Sequence, residues 1–150
     1  MKTTLQNFAY FHDIAINMEQ VSTVKISEHR IVFSYNYTVK KSGNTIPDSF
    51  YVKDYTPEEL NFTNSEYFKD NFIEYSDGKY LNKNSIASMR YNSAKGVIIF
   101  NMTHLHTYSR QVVSDSSMDV DCEVMSEKID MPEYAYMKAS YEDYLQMLGV

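Results

Sequence analysis

The stretch at positions 103–110, THLHTYSR, holds the side chains with most capacity for chemistry: His104, His106, Tyr108 and Arg110 recur at every second position. On an extended strand that period places all four on one face. Two histidines at i and i+2 can chelate a divalent metal, with Glu123 or Glu127 as an oxygen ligand, which would make the chain a metal-dependent hydrolase or nuclease. A catalytic zinc, however, usually takes three protein ligands held by ordered partners, and His12 and His29 stand far off with no ligand spacing. The competing reading is the solvated side of a strand.

The next strand favours that second reading. SDSS at 114–117 makes a tight loop, and beyond it Met118, Val120, Cys122 and Val124 alternate with Asp119, Asp121 and Glu123. Closing the hairpin with Val113 opposite Met118 sets Arg110 against Asp121, Tyr108 against Glu123, His106 against Met125 and His104 against Glu127. Opposite charges then meet on a wet outer face, where each pair contributes roughly 0.2–1 kcal/mol, and Leu105, Val120, Cys122 and Val124 share the inner one. No metal or cofactor is expected. One difficulty remains: Ile98, Phe100 and Met102 share the His104 face, so the long strand from Val97 to Val113 must pass from buried to exposed by a bulge or by projecting from the body.

No other motif offers catalysis. Cys122 falls on the expected inner face, where a small apolar-like residue is the ordinary occupant. No Gly-rich loop precedes a helix, so phosphate cradles of the P-loop or dinucleotide kind are absent. Asp119, Asp121 and Glu123 lie on a straight strand, whereas a calcium loop wraps its ligands around a turn.

The elements that must position these residues are mostly strands. IVFSYNYTVKK alternates Ile31, Phe33, Tyr35, Tyr37 and Val39 with Val32, Ser34, Asn36, Thr38 and Lys40, and a Gly43-Asn44 turn would set Tyr37 against Phe50 and Tyr35 against Val52. Pro47 lacks an amide donor, which gives the returning strand a free edge. Asp77-Gly78 predicts a two-residue hairpin pairing Tyr75 with Tyr80, and SIASMRYN leads through SAKG into the strand from Val97. Between them, YTPEELNFTNSEYFKDNF predicts one or two short helices, the second capped by Asn64 or Ser65. TLQNFAYFHDIAINMEQV has near-helical spacing of Leu5, Phe8, Phe11, Ala15 and Met18, although Phe8, Tyr10 and the Ile-Ala-Ile run also suit a strand. At the other end Tyr134, Met137, Tyr141, Tyr144, Leu145 and Leu148 form one stripe, predicting a helix from Asp130 to Gly149.

Composition bounds the rest. The 150 residues suit a single α+β domain over 1–150, a predominantly antiparallel β-meander of six to seven strands packed against a C-terminal helix, with an N-terminal helix beside it. One cysteine, no signal-like segment and no membrane-length apolar run point to a cytoplasmic protein, host cytoplasm if viral, with no membrane partner. The sequons at Asn36, Asn61 and Asn101 are then coincidental. A net charge of −6 without a Lys/Arg cluster makes nucleic acid an unexpected partner. Fourteen Tyr, nine Met and no Trp instead suggest contact with another protein. The leading expectation is therefore a non-enzymatic protein-protein interaction module, an accessory or inhibitor protein of a phage or mobile element by its composition. Its interaction face would be His104, His106, Tyr108, Arg110, Asp119, Asp121 and Glu123, with a homo-oligomer through a projecting strand as a further expectation. The alternatives are the metal-dependent enzyme above and a binder holding a small ligand in a Tyr/Phe-lined hollow between sheet and helix.

Overall fold

Ten strands and two α-helices make up the described chain in a computed structural model that covers residues 7–41, 44–113 and 120–150, with 39–41, 44–46, 106–113 and 120–126 described as backbone only. The strands are β1 (Phe8–Tyr10), β2 (Ala15–Asn17), β3 (Val21–Ile26), β4 (Arg30–Lys41), β5 (Asn44–Lys53), β6 (Phe72–Ser76), β7 (Lys79–Asn82), β8 (Ile86–Asn92), β9 (Val97–Val113) and β10 (Val120–Lys138). The helices are α1 (Glu66–Asn71) and α2 (Tyr141–Leu148). β1 and β2 form a small hairpin; the other eight strands form one sheet in the order β10-β9-β4-β3-β7-β6, with β5 added to β4 and β8 to β9. The architecture is strand-dominated and α+β in kind. The sheet is mixed, because β9 runs parallel to β4 at Leu105 and Tyr37, so the simple antiparallel meander is corrected.

Both terminal helices expected from the sequence are also corrected. At the start, Phe11 and Ile14 exchange backbone hydrogen bonds around His12-Asp13, closing a hairpin that buries Ala9 against its partner Ile16. The β-branched isoleucines and the aromatic residues fit that extended backbone better than a helix. At the end, β10 continues to Lys138 because β9 presents Ile98, Ile99 and Phe100 as an unpaired edge, and Met137, Tyr136 and Ala135 pair with them. A bulge between Met131 and Ala135 absorbs Pro132 and turns Glu133 to a positive φ of 51°. Only then does α2 begin, capped by Ser140, whose hydroxyl accepts from the Asp143 amide while the Asp143 carboxylate accepts from the Ser140 amide.

Bulges shift the register of other strand pairs as well. The expected Gly43-Asn44 turn is corrected, because Asn44 already pairs with Lys41, two residues from the expected register; a bulge between Ser34 and Thr38 adds two more and sets Phe33, not Tyr37, against Phe50. The Asp77-Gly78 turn forms as expected with Ser76 opposite Lys79, but a bulge brings Glu74 rather than Tyr75 opposite Tyr80. Gly78 has a φ of +70°, and a Cβ there would stand 2.5 Å from the Ile26 carbonyl oxygen, so the turn needs glycine.

Alternation along β3 and β4 separates two cores. Val24, Ile31 and Phe33 point to one side, where Phe11, Phe62 and Phe68 stack over them at ring separations of 5.4–5.6 Å. These rings come from the hairpin, the 3-10 segment Glu58–Asn64 and α1, the last capped by the Ser65 hydroxyl. Leu81 and Thr23 face each other on the opposite side, and β8–β10 curl over it to enclose Leu81 with Ile98, Phe100, Met102 and Ala135.

Candidate functional site

His104 lies in the dry interior. It is 0% exposed, on the face that also buries Ile98, Phe100 and Met102, whereas Leu105 is 40% exposed. The expected inner and outer faces of β9 are therefore exchanged at these residues, and the difficulty posed by the apolar half of the strand disappears because one face stays buried throughout. Neither ring nitrogen of His104 has a hydrogen-bond partner of ordinary geometry. Burial depresses its pKa, and the nearby Tyr35 backbone offsets this only in part. The Tyr134 ring is its aromatic neighbour, with centroids 6.0 Å apart.

β9 and β10 pair with Val113 opposite Val120, two residues from the expected register. Arg110 therefore stands opposite Glu123, Tyr108 opposite Met125, His106 opposite Glu127 and His104 opposite Ile129. The side chains of His106, Tyr108, Arg110, Asp121 and Glu123, and all of Asp119, lie outside the described residues. Among the described residues, no three His, Cys, Asp or Glu side chains are placed to hold a metal ion. The hollow between the sheet and α2, about 570 Å³, is lined by Phe72, Ile73, Lys83, Ile86, Met89, Met137 and Met147. Methionine and isoleucine dominate that lining, with Phe72 as its aromatic residue and no tyrosine among the described residues.

A different face collects charge. Because Ile31 and Phe33 point into the first core, Arg30 and Val32 point out; because Val52 and Phe50 oppose them, Lys53 and Tyr51 point out as well. Lys25 faces Val32 from β3, and Lys79 faces Lys25 from β7. Four strands thus present Tyr51, Lys53, Arg30, Lys25 and Lys79 together, all exposed. The pairs Arg30–Lys53 and Lys25–Lys79 are like charges directly opposite one another, an arrangement that destabilises a sheet. The described ion pairs, His29–Glu28 and Arg90–Glu133, include none of these four cations. The Arg30 guanidinium carbon sits 5.5 Å from the centre of the Tyr51 ring, a cation–π arrangement on a tyrosine that is 53% exposed.

The rim of this face is fastened at three points. Ser27 bonds to the Arg30 carbonyl through both its amide and its hydroxyl, the Asp54 amide donates to the His29 carbonyl, and the Ile26 amide donates to the Gly78 carbonyl at 2.7 Å. The Tyr55 hydroxyl adds a bond of 2.6 Å to the Ser27 carbonyl. Pre-set cations on fixed strands, spaced about 4.8 Å from strand to strand, suit an extended polyanion.

Sequence reasoning missed this face because its cations are scattered from position 25 to 79, and because the register expected for β4–β5 lacked the bulge that brings Arg30 opposite Lys53. The Asp77-Gly78 turn was the one signal in reach, since it fixes where Lys79 sits.

No protein-family model matches the chain, and no curated protein matches it. Among solved structures it is similar to the LytTr DNA-binding domain of a response regulator from Bacillus cereus, at 12% identity, over 95% of each chain, with a TM-score of 0.40. That neighbour is described as binding DNA. The finding runs against the expectations of a protein-interaction module, of a phage or inhibitor protein, and of nucleic acid as an unlikely partner, and all three are withdrawn. A likeness this distant lends the chain neither fold nor function. What replaces those expectations comes from the cationic face, which also removes their premise, since a cluster absent from the linear sequence is assembled by strand pairing.

Proposed function

We propose that this chain is a non-enzymatic nucleic-acid-binding protein that seats a phosphate backbone on the outer face of β5, β4, β3 and β7. The observation that carries the reading is the two like-charged cross-strand pairs, Arg30–Lys53 and Lys25–Lys79, set side by side without a described acidic partner. A sheet gains nothing from that arrangement in isolation, and a local rule broken without compensation is expected at a functional surface. Phosphates supply the missing counter-charge, and their binding releases condensed cations. The acidity of the rest of the chain confines binding to short range and weakens long-range attraction.

The test is fluorescence anisotropy with labelled DNA and RNA oligonucleotides across a range of salt. Four phosphate contacts give a log–log slope against salt of about −3. Lys25→Glu, Arg30→Glu, Lys53→Glu and Lys79→Glu combined should abolish binding while circular dichroism stays unchanged. No binding at about 50 mM salt, or full binding by the folded quadruple variant, overturns the proposal.

A further inference from the structure

We infer that the nucleic acid held on this face is single-stranded, with one base stacked on Tyr51 and the backbone running across Arg30 and Lys25 to Lys79; this rests on the function proposed above. Three observations lead there. The first is shape: the cationic residues stand on the flat of a sheet, and three strand spacings give a track of about 14 Å. Readout through the major groove of a duplex takes a helix or a two-stranded ribbon. The molecule has such a ribbon in the far part of β9–β10, yet there its described strands carry Asp121, Glu123 and Glu127 against one cation, Arg110. That charge opposes entry into a groove lined by phosphates.

The second is the aromatic. Tyr51 is a large ring left 53% exposed among cations, with Arg30 beside its ring and Val32, its register partner, next to it. Single strands are held by this combination, a charged track for the backbone and a ring for an unstacked base, whereas the bases of a duplex are already stacked on each other. The third is where the track ends. Past Lys79 the groove beside β6, about 510 Å³, is lined by Glu74 and Asp77 along with Lys95 and Lys138, so the uniform positive charge stops at β7. At the other end β5 pairs with β4 alone, and the track stops with Tyr51 and Lys53. The described face therefore accommodates a few nucleotides.

The chain contains no tryptophan, so Tyr51→Trp introduces a single indole reporter at the proposed stacking position. Titration with a single-stranded oligonucleotide of about twelve nucleotides should quench its emission, and the same sequence annealed to its complement should not. In anisotropy, the wild-type chain should prefer the single strand to the duplex by tenfold or more. Tyr51→Ala should weaken single-strand binding about tenfold with an unchanged salt slope, and Tyr51→Phe should restore it, because stacking needs the ring and not the hydroxyl. Equal or stronger duplex binding, or an unaffected Tyr51→Ala variant, overturns the single-strand inference. If the quadruple charge variant still loses binding in that case, the phosphate-binding face survives; if neither nucleic acid binds the wild-type chain, both readings fall.

Discussion

His104 illustrates how one side chain depends on its surroundings. Its imidazole is packed with no hydrogen bond of ordinary geometry at either nitrogen, so the neutral form is the one the fold accepts. Burial lowers its pKa in the folded chain below the ordinary value of 6.5 that it keeps when unfolded. The unfolded chain then binds the proton more readily, and the stability associated with neutral His104 is fully present above that unfolded value and is lost as pH falls toward the lowered one. Thermal melts of His104→Leu should show a shallower loss of midpoint than wild type as pH falls from about 7 to 5, since the variant has no proton to take up there. Parallel slopes would mean that the imidazole reaches water. The sequence placed His104 on the same face as Ile98, Phe100 and Met102; it did not say that the face remains buried so far along the strand.

At the level of elements, pairing between strands decided what local periodicity could not. The stripe of tyrosines and methionines from Tyr134 onward satisfies a helical period and also supplies good strand residues, and the exposed edge of β9 settled the competition in favour of β10. Signals that rest on a fixed backbone geometry were legible: the Asp77-Gly78 turn, the Ser65 cap, the loop from Ser93 to Gly96, and the free edge of β5. Bulges left no comparable mark, and one of them brings Arg30 opposite Lys53. That pair gives a prediction. Lys53→Glu converts a like-charged pair into an opposite one, so denaturant unfolding should show a gain of roughly 0.2–1 kcal/mol while nucleic-acid affinity falls. A variant that loses both stability and binding would show that Lys53 is structural.

On the scale of the whole molecule, two cores share the sheet that separates them. Val24 and its β7 partner Tyr80 serve one side, and Thr23 and Leu81 serve the other, so the two cores are coupled through β3 and β7. Phe33→Ala and Phe100→Ala, one in each core, should each cost about 3–5 kcal/mol. Both should unfold in one transition when followed by far-ultraviolet circular dichroism and by tyrosine fluorescence. A variant that melts in two steps would show that the halves fold separately. Among the described residues no helix is long and apolar enough to cross a membrane.

The sequence by itself determined which residues of β4 and of β9 share a face, because side chains alternate with a period of two and the β4–β5 and β9–β10 registers moved only by even steps, which preserve that parity. It also determined the Asp77-Gly78 turn and the Ser65 cap, whose geometry is local. Only the tertiary structure decided which of two possible faces is dry, whether the C-terminal stripe joins a sheet or a helix, and that Lys25, Arg30, Lys53 and Lys79 meet. Those outcomes depend on what packs across the sheet and on which edge finds a partner, and contacts between residues far apart in the chain leave no periodic trace in it.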